Sequence, residues 1–323
     1  GYEGSAVAIQ PSTGKILAMA SNPGYNPNDL MGDSAEDVWA NLQEQEGQPL
    51  VNHAGAETLP PGSIFKIITT AAGLNNGFDP SSTLTGSNVI TLPDTVTELT
   101  NYANQKCNGQ DAVTLQTAFA LSCNTAFVEM SEQLGADELR KYAKAFGVGE
   151  NYDLGVSTSA GTLGDLPDGA ATAQSAIGQR DVTMTALQAA VMAGTVANKG
   201  TRMQPYLVNR ITDAQMKDVR TTKPKKADQA VNEETAATLT DLMYASERSS
   251  AGYDGNGFAS KTGTAEHGEG LAPHVWYVAF DPERDIAVGV VVKNGGNLGE
   301  SATGGKVSGP IGRAILRAYQ GEQ

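Results

Sequence analysis

Segments with β-strand character stand at the two ends of this 323-residue chain, and a largely helical stretch separates them. The first two segments are joined by Pro11-Ser12-Thr13-Gly14, a composition typical of a tight turn. Strands at both ends most economically form one antiparallel sheet, which makes the helical middle an insertion. We therefore predict an α+β fold, with a five-stranded antiparallel sheet flanked by helices. The predicted strands cover residues 5–10, 15–20, 258–264, 275–280 and 286–292.

The length corresponds to about two domains or one large domain with two lobes. We expect an α/β lobe of about residues 1–77 and 201–323, and a helical lobe of about 78–200. A cleft between lobes is the usual place for a site. Thr185 with Gln188 three residues later indicates a capping box. Helices are predicted for residues 37–45, 63–74, most of 114–197, 233–245 and 311–319.

Charge and composition exclude several classes of function. The net charge of −14 disfavours binding to nucleic acids and anionic lipids, and the basic run Lys217–Lys226 lacks interleaved aromatic residues. The strongly apolar run Ile286–Val292 is too short to span a bilayer, which takes about 20 residues. With three histidines and no clustered ligands, no metal or cofactor is predicted. The Gly-Gly-Lys of residues 299–306 lacks the remaining residues of a phosphate-binding loop.

Ser63 and Lys66 form a candidate nucleophile and base. Pro60-Pro61-Gly62 prevents a helix from starting earlier, so Ser63 falls on a first turn, where backbone N–H groups favour negative charge. Residues three apart share a helix face, so the Lys66 amine can reach the Ser63 hydroxyl. A serine is a weak nucleophile until a base removes its proton. Taken alone, the pattern is also compatible with an ordinary helix whose lysine is solvated.

Two later segments complete a possible constellation, although each also has an ordinary structural interpretation. Ser122 and Asn124 lie between apolar runs, where such residues commonly cap a helix. Lys261 lies on a predicted strand, where a lysine commonly protects a sheet edge. Gly263 argues against that interpretation, because glycine inside a strand indicates close approach of another backbone or a ligand.

In this order, Ser-x-x-Lys, Ser-x-Asn and Lys-Thr-Gly resemble the motif set of active-site-serine penicillin-binding proteins and β-lactamases. The resemblance extends from Gly14 to Pro310. It is strongest to the transpeptidase domain of class B penicillin-binding proteins, in particular the actinobacterial penicillin-binding protein A group. The segments that carry it are 58–66, 121–127, 177–179 and 261–266.

The resemblance implies a role for each matching residue. Ser63 would be the acylated nucleophile, Lys66 its base, and Ser122 with Asn124 the opposite wall of the cleft. Lys261 would keep Lys66 neutral and attract the substrate carboxylate. The remaining implied groups are Thr262, Gly263 and Thr264 as substrate-binding residues, with the backbone N–H groups of Ser63 and Thr264 as the oxyanion hole.

The implied reaction is D,D-transpeptidation of peptidoglycan stem peptides, with β-lactams as covalent inhibitors. It implies action outside the cytoplasm, at the bacterial cell envelope. The family normally carries a membrane anchor and a non-catalytic domain before this region. We therefore expect anchoring by a segment outside these residues. Partners in a cell-division or elongation complex are also compatible with the resemblance.

The two cysteines, Cys107 and Cys123, are compatible by count with either one disulfide or two free thiols. The penicillin-binding protein A group carries a similar pair, so the resemblance implies a disulfide. Because Cys123 is the middle residue of the second motif, the bond would brace that motif against the cleft.

Three alternatives remain at this stage. A D,D-carboxypeptidase would use the same residues with water as the acceptor. A class A β-lactamase would need a glutamate that activates water, yet its sequence pattern is absent and Glu150 has an unmatched context. A non-catalytic β-lactam sensor or binding module is the third, although every acyl-transfer residue is present. His267 and His274, near the third motif, have either a place at the cleft rim or no role.

Overall fold

A single five-stranded antiparallel sheet organises the molecule, in a computed structural model that describes residues 1–268 and 270–320. Its strands are β1 (Gly4–Gln10), β2 (Lys15–Asn22), β11 (Ala259–Ala265), β12 (His274–Asp281) and β13 (Ile286–Val292). They lie in the order β11-β12-β13-β1-β2, so the two terminal regions of the chain meet at the β13–β1 pair. The α+β fold and the sheet predicted from the sequence are confirmed.

Short two-stranded sheets occur elsewhere in the chain. They were not predicted, because strands of only three or four residues lie in polar segments without a recognisable alternation. They pair β3 with β6, β4 with β5, β7 with β10 and β8 with β9. Their bounds are β3 (Thr83–Thr85), β4 (Val89–Thr91), β5 (Glu98–Thr100), β6 (Ala112–Thr114), β7 (Thr201–Met203), β8 (Arg210–Thr212), β9 (Asp218–Thr221) and β10 (Lys226–Gln229).

The α-helices occur where the sequence predicted them, with ends that differ by a few residues, except for the short helix at residues 53–56, which was not predicted. The stretch 146–168 is irregular, so the region 114–197 is less continuously helical than expected. Among the described residues, no helix is both long and apolar enough to cross a membrane. The helices are α1 (Ala35–Glu44), α2 (His53–Ala56), α3 (Lys66–Leu74), α4 (Leu115–Leu121), α5 (Asn124–Ala145), α6 (Gly169–Ala176), α7 (Ala186–Ala197), α8 (Glu233–Ser249) and α9 (Ser308–Gln320).

Helices cover both faces of the sheet. Alternate residues of a strand point to opposite faces, and β12 shows this directly. Val278 packs in the cluster that contains α7, whereas Tyr277 packs with Leu316 of α9. The predicted capping box, Thr185 with Gln188, begins α7. This double cover fixes the sheet as a rigid platform for the residues on its edge strand β11.

Helix α3 runs through the interior, and residues 66–73 are all buried. It packs against α5 and α8. The sequence predicted that an α-helix begins at Ser63. Residues Gly62–Phe65 instead form a 3₁₀ turn, and the α-helix begins at Lys66. Residues three apart still share a face in a 3₁₀ turn, so the expected pairing of Ser63 with Lys66 is preserved.

Candidate active site

Ser63 lies in a turn that is held from two sides. The indole Nε1 of Trp276 on β12 donates to the Pro60 carbonyl at 2.8 Å, and the Gly62 N–H donates to the Gly178 carbonyl at 2.9 Å. Gly62 has φ +53°, and a Cβ there would approach the Thr264 carbonyl oxygen to 2.8 Å. The turn therefore requires glycine, and it places the Ser63 backbone beside Thr264 of β11.

Lys66 is fully buried directly behind Ser63. Its Nζ lies 3.0 Å from Ser63 Oγ, 2.8 Å from the Ser122 carbonyl, 3.4 Å from Ser122 Oγ and 2.7 Å from Asn124 Oδ1. The Phe127 ring lies 5.2 Å from the amine. Two segments that are 56 residues or more apart in sequence therefore converge on one nitrogen.

The second motif, residues 122–124, has an unusual backbone conformation. Ser122 ends α4 in the left-handed region, at φ 60°, and Asn124 begins α5. Asn124 Nδ2 donates to the Thr100 carbonyl at 3.1 Å, which fixes the amide so that Oδ1 faces Lys66. Ser122 and Asn124 are thus more than helix caps, since both point into the cleft side of Lys66.

A disulfide joins Cys107 to Cys123, the pairing that the resemblance implied. It ties the loop before α4 to the residue between Ser122 and Asn124. A second, non-covalent clamp lies beside it, because Asn101 Oδ1 accepts from the Thr125 N–H at 3.0 Å and Asn101 Nδ2 donates to the Ser87 carbonyl at 2.9 Å. This clamp was not predictable from the sequence, because its members are scattered asparagine, serine and threonine residues.

Lys261 lies on the edge strand β11 but is fully buried, so its interpretation as a solvated edge lysine is wrong. Its Nζ donates to Ser122 Oγ at 2.9 Å and to the Thr262 carbonyl at 3.0 Å. The expected close approach at Gly263 is confirmed, because a Cβ there would come within 2.7 Å of the Pro61 carbonyl oxygen. Ser122 Oγ therefore stands between the two lysine amines.

Both lysines are buried without a counter-charge. Within residues 1–268 and 270–320, neither amine pairs with a carboxylate, and their hydrogen-bond partners are hydroxyl, carbonyl and amide oxygens. Burial, followed by repulsion from Lys261, holds the pKa of Lys66 well below its usual range. Burial lowers the pKa of Lys261 to about 7.

The hydrogen-bond partners of Lys66 can be satisfied by a neutral amine as well as by an ammonium. The Ser122 carbonyl and Asn124 Oδ1 can only accept, so together they use two N–H groups. A neutral amine has two N–H groups and one lone pair. That lone pair is left for a proton from the Ser63 hydroxyl, which lies 3.0 Å away. The arrangement is suited to removing a proton from Ser63.

The structure brings the predicted active-site residues together around the Lys66 amine and the contact of Gly62 with Thr264, while Glu150 is engaged elsewhere. Thr262 and Thr264 are half-buried on β11, between buried neighbours. Glu150 pairs with Arg202, so it gives no support for the water-activating role of a class A β-lactamase. His267 and His274 stack with ring centroids 3.9 Å apart just beyond the third motif. No group of metal-ligating side chains occurs in the described part of the chain.

Comparison with known proteins gives a consistent picture. A family model described as the penicillin binding protein transpeptidase domain matches residues 4–317. The chain is 45% identical to a peptidoglycan D,D-transpeptidase PbpA of Mycolicibacterium smegmatis, with 98% of this chain and 66% of that protein covered. It is 42% identical to the PbpA of Mycobacterium tuberculosis, with 99% of this chain and 68% of that protein covered. The chain thus spans about two thirds of the length of these relatives.

Solved structures agree with the sequence comparison. The chain superposes with a TM-score of 0.95 on penicillin-binding protein A from M. tuberculosis in a ceftriaxone acyl-enzyme complex, at 42% identity and with 98% of this chain and 74% of that chain covered. The transpeptidase domain of a peptidoglycan glycosyltransferase from Eggerthella lenta matches with a TM-score of 0.85 at 26% identity, with 100% of this chain and 79% of that chain covered.

Proposed function

The chain belongs to the penicillin-binding protein transpeptidase family, and we propose that it is a serine-type peptidoglycan D,D-transpeptidase acting through an acyl-enzyme on Ser63. The observation that carries the proposal is the contact of Ser63 Oγ with the buried, carboxylate-free amine of Lys66. The relatives named above are peptidoglycan D,D-transpeptidases, and one of their structures is a β-lactam acyl-enzyme. The predicted site roles are part of this proposal.

In the first step, the Ser63 proton passes to the Lys66 lone pair while Oγ attacks the carbonyl carbon of the D-Ala–D-Ala bond. The new oxyanion accepts hydrogen bonds from the backbone N–H groups of Ser63 and Thr264. This role is supported by the close approach of Gly62, the residue before Ser63, to the Thr264 carbonyl group. The C–N bond then breaks, and the departing amine takes a proton from Lys66 through the Ser122 hydroxyl. Ser122 Oγ is suited to this relay because it lies 3.4 Å from the Lys66 amine.

In the second step, the amine of a neighbouring stem attacks the Ser63 ester. Its proton returns by the same route, the cross-link forms, and the Ser63 hydroxyl is regenerated. A β-lactam follows only the first step readily, since its amine remains attached and the ester hydrolyses slowly. Removing one oxyanion-hole donor typically costs about 100- to 1000-fold in rate, so correct placement of this turn is essential.

Lys261 has a different role from Lys66 in this proposal. A positive charge there repels a proton from Lys66, in line with the lowered pKa of Lys66, and it attracts the terminal carboxylate of the donor. Thr262 and Thr264 supply hydroxyl groups for the same carboxylate. Residues of the helical middle, 78–200, provide Ser122 and Asn124, and the sheet-bearing remainder provides the other groups. We propose that these two parts are the lobes of one transpeptidase domain.

The relatives are peptidoglycan transpeptidases, which places their substrate outside the cytoplasm. We extend that location to this chain. Anchoring in the plasma membrane by a segment outside these residues, and partners in a division or elongation complex, stay predictions from the family resemblance.

The proposal is tested with a synthetic stem peptide ending in D-Ala–D-Ala, together with an amine acceptor. We expect mass spectrometry to show released D-Ala and a cross-linked product, both absent for Ser63→Ala. Ser249→Ala, at the exposed C-terminal end of helix α8, is the matched control and should behave as wild type. A hydrolysed donor without cross-link would instead favour a carboxypeptidase. Repeated turnover of penicillin would favour a β-lactamase, and no reaction with either compound would contradict an enzyme.

A further inference from the structure

Residues 206–226, here called the basic arm, protrude from the far edge of the sheet. They contain the β8–β9 hairpin, whose strands pack mainly on each other. The basic arm is rich in apolar side chains that nothing covers, and their exposed fractions are 70% at Met216 and 66% at Val219. Val208 and Ile211 are also nearly half exposed. Across residues 1–268 and 270–320, these four apolar side chains keep between 44% and 70% of their surface exposed.

The charge of the basic arm is opposite to that of the rest of the molecule. It holds six of the 22 Lys and Arg residues and only two of the 36 Asp and Glu residues. Arg210 pairs with Asp218 inside the arm, and in the described part of the chain the other five cations have no carboxylate partner. Unpaired cations beside exposed apolar groups are typical of a surface that binds an acidic, partly apolar partner.

Residues 23–46, here called the acidic element, have the complementary composition. They contain six Asp and Glu residues and no Lys or Arg. Across residues 1–268 and 270–320, none of these six carboxylates forms an ion pair with a basic side chain. Met31, Trp39 and Tyr25 are 75%, 46% and 43% exposed. Helix α1, within this element, buries only Leu42.

The two surfaces lie at opposite ends of the edge strand β2. The base of the basic arm is bonded to the start of that strand, where the Ile16 N–H donates to the Tyr206 carbonyl at 2.9 Å. The acidic element follows directly after Asn22, at the other end of the strand. Eight strand residues separate the two ends by about 23 Å. The two surfaces therefore face apart on one molecule and are placed to meet between two molecules.

We propose that the basic arm of one copy docks on the acidic element of a second copy, in a head-to-tail contact along the β2 edge. Such a contact is heterologous, so it can repeat from copy to copy. It uses opposite charges to set the orientation and exposed apolar side chains for burial. Its small extent makes it weak, with an expected dissociation constant of about 0.1 mM.

Sedimentation equilibrium of the purified chain tests the proposal. In about 50 mM salt we expect the average mass to rise with protein concentration, and in about 500 mM salt we expect a monomer, since exposed charges are then screened. Val219→Ser and Met31→Ser should each weaken association by about three- to tenfold, because each removes exposed apolar surface from one side. A wild-type chain that stays monomeric up to about 1 mM in low salt would overturn the proposal.

A charge-swap experiment identifies the two surfaces. Lys217→Glu with Arg220→Glu cancels the positive net charge of the arm and places two negative charges on it. Asp33→Lys with Glu44→Lys places two positive charges on the acidic element, with Glu44 in the last turn of α1 where a lysine suits the helix dipole. Each double variant alone should lose association at least tenfold. An equimolar mixture of the two should recover part of it, because the new Glu residues of the arm then meet the new Lys residues of the element. Both should keep wild-type β-lactam acylation, which shows that they fold. Association of either variant alone at wild-type strength, or no recovery on mixing, would refute the contact.

Discussion

Two buried cationic sites lie on opposite faces of one strand, β11, and they are built on opposite principles. Ser260 and Lys261 are neighbours and therefore point to opposite sides of the sheet. Behind Ser260, the Arg313 Nε donates to Glu247 Oε1 at 2.7 Å, and both side chains are buried. Around Lys261 and Lys66, the described residues supply no carboxylate.

The two sites differ in whether their buried side chains stay ionised. Burial alone would raise the pKa of Glu247, but hydrogen bonds from Arg313, Ser260 and Asn256 outweigh it and hold the pKa below its ordinary value. That site stays an ion pair and stabilises α8, α9 and β11. The two lysines have only neutral oxygens as partners, so their pKa values fall. An unpaired buried amine is a base, whereas a paired buried guanidinium is a structural link.

The largest expected effect comes from removing the base. Lys66→Met should lower the rate of β-lactam acylation by about 100- to 10,000-fold, the range attributed to a general base. The free energy of unfolding should change little, because no ion pair is broken. Stopped-flow acylation and denaturant unfolding measure the two quantities. Unchanged acylation would remove Lys66 from the mechanism.

On the Ser260 face of β11, a substitution should lower stability and leave acylation unchanged. Glu247→Gln leaves Arg313 buried and unpaired, which typically costs about 3–5 kcal/mol of unfolding free energy. The folded fraction should still be acylated at close to the wild-type rate. Because the Glu247 pKa is depressed, the lost stability should be present in wild type above its unfolded pKa and disappear as the pH falls through its folded value. Equal stability of variant and wild type at pH 7 would contradict the comparison.

A third test removes the disulfide beside the second motif and leaves both lysines in place. Cys107→Ser with Cys123→Ser should cost about 3 kcal/mol of stability by the loop-entropy estimate. It should also slow acylation several-fold before the protein unfolds, because Ser122 and Asn124 flank the bonded Cys123. Comparison of acylation at a temperature where both proteins are fully folded separates the two effects. Unaltered acylation would show that the second motif needs no brace.

The smallest effect in free energy is expected at Lys261, which acts through charge. Lys261→Met should slow acylation by about 10- to 100-fold, as expected for the loss of one hydrogen bond to a charged group. It should also raise the pKa of Lys66, shifting the rising limb of the acylation–pH profile to higher pH. The wild-type profile should fall again near pH 7, where Lys261 loses its proton. A rising limb at the same pH in both proteins would exclude coupling between the two amines.

The free energy of unfolding should also depend on pH through the titration of Lys261. The folded pKa of Lys261 is about 7 and its ordinary value is 10.5, so the folded state binds fewer protons between these values. The free energy of unfolding therefore rises with pH from about 7 until tyrosines begin to titrate near pH 10. Lys261→Met should flatten that rise, which denaturant titrations at several pH values would detect.

Much of this architecture was accessible from the sequence, for identifiable reasons. The strand segments were read from local pattern and turn residues, and the three motifs were recognised by their order. Gly263 pointed correctly to a close backbone approach. The left-handed Ser122, the clamp of Asn101 on Thr125 and the pair of Glu247 with Arg313 were not predictable. Each depends on contacts between residues that have no local pattern in common, 66 positions apart for Glu247 and Arg313.

The complete burial of Lys261 could not be foreseen either, since edge lysines are normally solvated. It results from α4, whose Phe119 ring lies 5.8 Å from the amine. Only the folded chain shows that no carboxylate of the described residues pairs with either lysine. The sequence thus predicted which residues meet, and the structure supplied the electrostatic reason for their chemistry.

The most direct test of the central claim is the mass of the intact protein after treatment with penicillin G, followed by location of the modified peptide. The account predicts one covalent adduct per chain, on the peptide that contains Ser63, and none on Ser63→Ala. An unmodified wild-type protein, or an adduct on any other residue, would contradict it.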